Sequence, residues 1–194
     1  MKKWIPILIP VFFLFVLFNY YLDGYRFTAL SAAKDHPFLK EDATLIEKDK
    51  IGSSYVFIFK SDKEEVFQTV LSEKAGWFFQ SSVSTHTPYR SANIQTIGAM
   101  SFTNKQESGT LLSVVSSDDD VSYIEAGAPK DSKKKEIHQG ERVTFSFPFS
   151  EQPNQLHPVA YNEEGEKLYY YGYPKDKQSI NPNDLQWYKM EKTS

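Results

Sequence analysis

Between Lys3 and Asp23 the chain carries no charged side chain, and from Trp4 to Leu22 its clearly polar groups are Asn19 and two tyrosines. No other stretch restricts the fold as much. A bilayer hydrocarbon core about 30 Å thick takes roughly 20 apolar residues as a helix, because each residue advances about 1.5 Å. The run therefore predicts one N-terminal transmembrane helix over residues 4–22. Lys2 and Lys3 precede it and place residues 1–3 as a cytoplasmic tail. Tyr20, Tyr21 and Tyr25 follow, where amphipathic rings suit the headgroup level. Pro6 and Pro10 are read in the first turns, where a missing amide donor costs least. The expected location is the cell membrane, single-pass, with the N-terminus cytoplasmic and the C-terminal domain extracellular.

A cleaved secretory signal is the competing reading. Its apolar region is shorter, about 7–15 residues, and is closed by a small-residue cleavage site. Here the best such site, Ser31-Ala32-Ala33, lies beyond Asp23, Tyr25, Arg26 and Phe27, which are poor approach residues. An uncleaved anchor fits better; cleavage near Ala33 would instead release a secreted factor. With no Cys in the chain, lipid attachment to a cysteine, disulfides and thiolate metal sites are all excluded. The remaining domain must be held by its core. A net charge of −3 and the lack of a basic stripe argue against nucleic acid as a partner.

Beyond the apolar run, residues 27–39 read as a short juxtamembrane helix, capped by Thr28 and ended by Pro37. From Thr44 the pattern turns to strands. Tyr55-Val-Phe-Ile-Phe-Lys60 is an unbroken β-branched and aromatic run, which suits a strand covered on both faces. It pairs as a hairpin with Val66–Leu71, and another strand starts at Gly76-Trp77-Phe78-Phe79. Residues 84–93 read as a loop and as a candidate boundary inside a β-rich extracytoplasmic domain over 44–194. Strands over 94–103 and 109–116 flank a polar turn. Lys130 to Lys135 reads as a charged loop. Val143, Phe145, Phe147 and Phe149 alternate with Arg142, Thr144, Ser146 and Pro148, a half-buried strand with its apolar face fixed. Asn162 to Gly165 has the form of a hairpin loop, and Leu185–Met190 makes a last strand. The fold class is mainly β, β-sandwich-like or α+β.

The Ala-containing helix, Tyr55-Val-Phe-Ile-Phe-Lys60, Ala75-Gly-Trp-Phe78 and Pro158-Val-Ala-Tyr-Asn-Glu-Glu-Gly-Glu-Lys-Leu168 follow one another in an order that resembles small, uncharacterised membrane-anchored proteins of Bacillus-type Gram-positive bacteria. The chain departs from their terminal hairpin pattern in having Asn162 for an aspartate and Glu166 before Lys167. The resemblance implies a single anchor and an extracytoplasmic domain, and it transfers no catalytic residue.

Sites of chemistry are sparse. His36, His86, His138 and His157 stand at no metal-ligand spacing and read as solvent-facing loop residues. Ser81, Ser82 and Ser84 precede His86 without a nucleophile-elbow motif, so a hydrolase would need a Ser/His site assembled in space. Asp118-Asp119-Asp120 lacks the spacing of a calcium loop and reads as an acidic turn. Lys133-Lys134-Lys135 reads as a solvated run, with contact to anionic wall polymer or lipid as its alternative role. No cofactor, metal or catalytic residue is assigned. The rings Tyr169, Tyr171, Tyr173 and Trp77 are the candidate binding surface, with packing into the core as their alternative role. The expected function is a non-catalytic binding or interaction module at the cell surface. Its partners would be the membrane through the N-terminal helix and a cell-envelope protein or polymer; a cell-envelope hydrolase is the alternative.

Overall fold

The computed structural model describes residues 5–175 and 181–191. The expected tail at 1–3 and Trp4 lie outside the described residues. Helix α1 covers Ile5–Leu22, and α2 covers Ala29–Lys34. The strands are β1 (Thr44–Ile51), β2 (Ser54–Ser61), β3 (Val66–Ala75), β4 (Phe78–Pro88), β5 (Ile94–Thr103), β6 (Ser108–Ser116), β7 (Tyr123–Ala126), β8 (Lys133–Glu136), β9 (Arg142–Phe147), β10 (Val159–Tyr161), β11 (Lys167–Gly172) and β12 (Gln186–Lys189).

Where the sequence reads a membrane span, α1 has 18 residues, with Pro10 inside the helix. At 1.5 Å per residue that is about 27 Å, a little under the bilayer core. Among the described residues no helix is long and apolar enough to cross a membrane. The helix ends on a glycine-based cap. Gly24 takes φ 82°, its N–H donates to the Tyr21 carbonyl, and the Tyr25 N–H reaches back to the Tyr20 carbonyl. That is the paired hydrogen-bond pattern of a Schellman stop. The second helix, expected over 27–39, is shorter, because Asp35 closes it and the chain then turns through His36. Thr28 does cap it, accepting from the Ser31 N–H at 3.1 Å.

The domain is mainly β, built of three antiparallel sheets rather than the two of a sandwich. Sheet A is the meander β1-β2-β3-β4, sheet B is β5-β6-β9, and sheet C runs β12-β11-β10-β7-β8. Alternation along β2 explains the stacking. Phe57 and Phe59 face α2 with Ala29, Ala33 and Val70, while Val56 and Ile58 face sheet B with Ile97, Met100 and Leu111. All four β2 side chains from Val56 to Phe59 are buried, which accounts for the unbroken apolar run. Sheet B is covered twice. Leu111 points to sheet A, whereas Leu112, Val114, Phe145 and Phe147 join Ile124, Ala160 and Trp187 beneath sheet C. The order of layers is α2, sheet A, sheet B, sheet C.

Two loop expectations are corrected. Residues 84–88 continue β4 instead of leaving the sheet, because Ser84 to Pro88 pair with Val66 to Val70 of β3. Lys133 to Glu136 form an edge strand paired with β7, all four residues exposed. Lysines suit such an edge, where they hinder pairing with another chain. Lys133 and Lys135 also reach across the seam between sheets. Their Nζ atoms donate to the carbonyls of Ser146 and Thr144 on β9, both at 2.5 Å.

Candidate functional site

β4 ends at Pro88, and the chain crosses to β5 through Tyr89 to Asn93. Arg90 in this crossing fixes the approach of the C-terminal segment. Its Nη1 donates to Gln186 Oε1 at 2.5 Å and its Nη2 to the Asn183 carbonyl at 2.7 Å. Behind this clamp lies a cleft of about 330 Å³, bounded by the end of β4, the start of β5 and the β11–β12 pair. That volume is at the lower end of small-ligand sites.

The cleft is apolar at Ile94, Ala99 and Trp187, and polar at Arg90, Gln95 and Tyr171. Trp187 Nε1 donates to Thr96 Oγ1 at 3.1 Å, so the indole is held in place. Burial pushes the Tyr171 phenol up to about 12, which keeps it a neutral hydroxyl near neutral pH. Among the described residues, the buried Gln95 Nε2 has no hydrogen-bond partner. A buried amide left unpaired carries a desolvation cost that an acceptor in the cleft would relieve. The arrangement therefore leaves the Gln95 amide as a donor open to an oxygen-bearing ligand, beside the charge of Arg90.

His86 lies at one end of the cleft, but its environment is structural. Gln68 is fully buried, accepts from the Lys40 N–H at 2.9 Å, and donates from Nε2 to the Phe38 carbonyl at 2.8 Å. The same Nε2 lies 2.9 Å from His86 Nε2, so His86 accepts there and carries its proton on Nδ1. His36, expected on a solvated loop, is instead buried beside this pair. Burial, and behind it the neighbouring His86, hold the His36 imidazole below its ordinary value. Ser81 Oγ donates to the Leu71 carbonyl at 2.6 Å. The hydrogen bonds of His86 and Ser81 thus go to Gln68 and the β3 backbone. Among the described residues no three His, Asp or Glu side chains are grouped to hold a metal.

The acidic turn also has a structural explanation. Asp118 Oδ2 accepts from Tyr169 Oη at 2.5 Å and from Asn93 Nδ2 at 3.1 Å, while Oδ1 takes the Asp120 N–H. This pins the ring of Tyr169. Tyr169 and Tyr171 are only 6% and 7% exposed and belong to the core between sheets B and C. The exposed row expected at Tyr169, Tyr171 and Tyr173 is therefore not formed; its first two rings fill the core and Tyr173 is half-buried. Trp77 is 93% exposed but sits on sheet A, away from the others. The outward rings of sheet C are those of the opposite parity. Tyr170 stacks on Tyr188 at 5.5 Å, and Tyr123 on Tyr161 at 4.8 Å. Period-2 alternation gave the two sets in the sequence without saying which faced in. The cleft residues Arg90, Gln95 and Gln186 carried no local signal, since they meet only in space.

No protein family, characterised protein or solved structure matches this chain.

Proposed function

We propose that the chain is a single-pass membrane protein whose extracytoplasmic β domain is a non-catalytic binding module at the cell surface. The observation that carries the anchor is a contrast in α1. From Ile5 to Phe18 the helix has no polar side chain, and Leu14, Phe15, Phe18 and Leu22 remain well over half exposed. A helix apolar on every side belongs in a core or in lipid, and these side chains are not in the core. A shortfall of about 3 Å against the bilayer is absorbed by local thinning at a fraction of a kcal/mol per Å. Lys2 and Lys3 set the N-terminus inside. The resemblance to small anchored proteins of Bacillus-type bacteria points the same way.

The binding role is proposed for the cleft behind Arg90, where Gln95, Arg90 and Tyr171 would meet carbonyl or carboxylate oxygens of a cell-envelope partner. The test has two arms. Protease added to intact protoplasts should remove the domain; survival until lysis overturns the orientation. A photo-crosslinking residue at Thr87, at the cleft, should capture a partner in native cells, and Arg90→Ala should abolish the adduct. An adduct of equal yield from a crosslinker placed at Lys105 overturns the assignment of the cleft.

A further inference from the structure

The turn joining β3 to β4 is two residues long, with Ala75 paired to Phe78 and Gly76-Trp77 between them. Gly76 has φ 63°, the positive value that a type II′ turn requires at its first central position. Trp77 is therefore carried at the apex, the most exposed large apolar side chain of the described residues at 93%. An indole at this apex leaves a large apolar surface in water, and burying it against an apolar layer would be favourable.

Its neighbours give the occupant. The ring of Phe78, next along the chain, lies 5.4 Å from Tyr20, 6.4 Å from Tyr25 and 5.1 Å from Phe27. Those residues are the last turn of α1 and the exit that follows it. The same joint is tied by backbone. Arg26 and Phe79 exchange N–H to carbonyl bonds at 2.8 and 2.7 Å, and Gln80 Nε2 donates to the Asp23 carbonyl at 3.2 Å. Arg26 also lies over the Tyr21 ring at 3.8 Å, donates to the Tyr21 and Tyr25 carbonyls, and pairs with Asp35. The hairpin tip is thus fastened at the level where the apolar helix ends. Phe27, Leu22 and Tyr21 are exposed at 72%, 64% and 57% beside it.

We propose that the β3–β4 tip is a second membrane contact, with Trp77 seated in the interfacial layer of the lipid beside the exit of α1. This rests on the reading of α1 as the anchor and adds to it. Trp and Tyr favour the headgroup boundary, where the ring is sheltered and the N–H or O–H is hydrated. Because α1 already holds the tip at the surface, insertion is an intramolecular step and needs little affinity of its own. Two attachment points fix the attitude of the domain, so the stacked sheets stand on the membrane in one orientation.

The test uses the full chain reconstituted in phosphatidylcholine vesicles. Trp4→Phe leaves Trp77 and Trp187, and Trp187 is a core residue only 8% exposed. Subtracting the emission of the Trp4→Phe, Trp77→Phe variant isolates Trp77. Lipids brominated near the headgroup end of the acyl chain should remove most of that emission, lipids brominated near the chain end less, and aqueous iodide little. Strong quenching by iodide without response to brominated lipid overturns the proposal. So does quenching by neither, accompanied by a crosslink between residues 77 of two chains, since a second copy would then cover the indole. Carbonate extraction of the same vesicles separates the two readings. A chain released by carbonate removes the anchor itself. A chain that stays while iodide reaches Trp77 removes only the second contact.

Discussion

Asp118 shows how one side chain settles a local structure. Burial alone would raise its pKa, but hydrogen bonds from the Tyr169 hydroxyl, the Asp120 N–H and the Asn93 amide outweigh it and hold the carboxyl below the usual range. The folded value is depressed, so the stability it adds is present above the unfolded pKa near 3.8 and is lost as pH falls through the folded value. Asp118→Asn should lower the Tm at neutral pH and flatten the acid limb of the Tm–pH curve below about pH 4. Parallel acid limbs in the two proteins would show that the network around Tyr169 is not the cause. The flattening will be partial. Glu107 is also held low, its burial outweighed by hydrogen bonds from the Ser53–Ser54 turn, where the Ser53 N–H and hydroxyl donate to its carboxylate at 2.7 and 3.1 Å. In the sequence the three aspartates show only charge and spacing. That their first member closes on a tyrosine and an asparagine many residues away is a tertiary fact, with no periodicity to betray it.

Strands differ in how far their sequence gives them away. β9 is legible, because Val143, Phe145 and Phe147 alternate with polar residues and all three are buried. β2 is legible for the opposite reason, a run without alternation between two packed layers. β8 is not, since four exposed charged residues carry no apolar period and only the pairing with β7 makes them a strand. Alternation on β9 alone would make Thr144 and Ser146 equivalent. The structure separates them. Thr144 Oγ1 bonds to Glu47 and lies 2.7 Å from Ser113 Oγ, which itself donates to Glu47 at 2.8 Å, so this threonine joins β1 to sheet B. Phe147→Ala should therefore cost about 3–5 kcal/mol, as large-to-small changes in a core do. Ser146→Ala should cost under about 0.5 kcal/mol, as surface changes do, and is the proper control in place of Thr144. Urea unfolding of the two variants decides it, and equal shifts in midpoint would refute the face assignment.

Across the whole molecule, the layers are set by the parity of β2 and β6, each of which sends alternate side chains into two different cores. Sheets A and B approach closely at Gly98, where a Cβ would stand 2.4 Å from Ile58 Cδ1. That sheets A and B pack so tightly is hidden in the sequence, because the loop at 84–93 looks like a place to divide the chain and says nothing about what its two sides share. Open sheets end in unpaired strands, and β9 is one end of sheet B. Its outward carbonyls at Thr144 and Ser146 are taken by the ammonium groups of Lys135 and Lys133. Every additional strand of another molecule would have to evict two cations from their acceptors before its own amides could bond. In detergent solution, Lys133→Ala combined with Lys135→Ala should convert the chain from a species of fixed size into one that grows with concentration and storage time, at nearly unchanged Tm. Light scattering reads the growth, and a double variant that stays as dispersed as the parent would contradict it. The lysine run is then a safeguard under crowding, where neighbouring copies of the domain collide edge to edge.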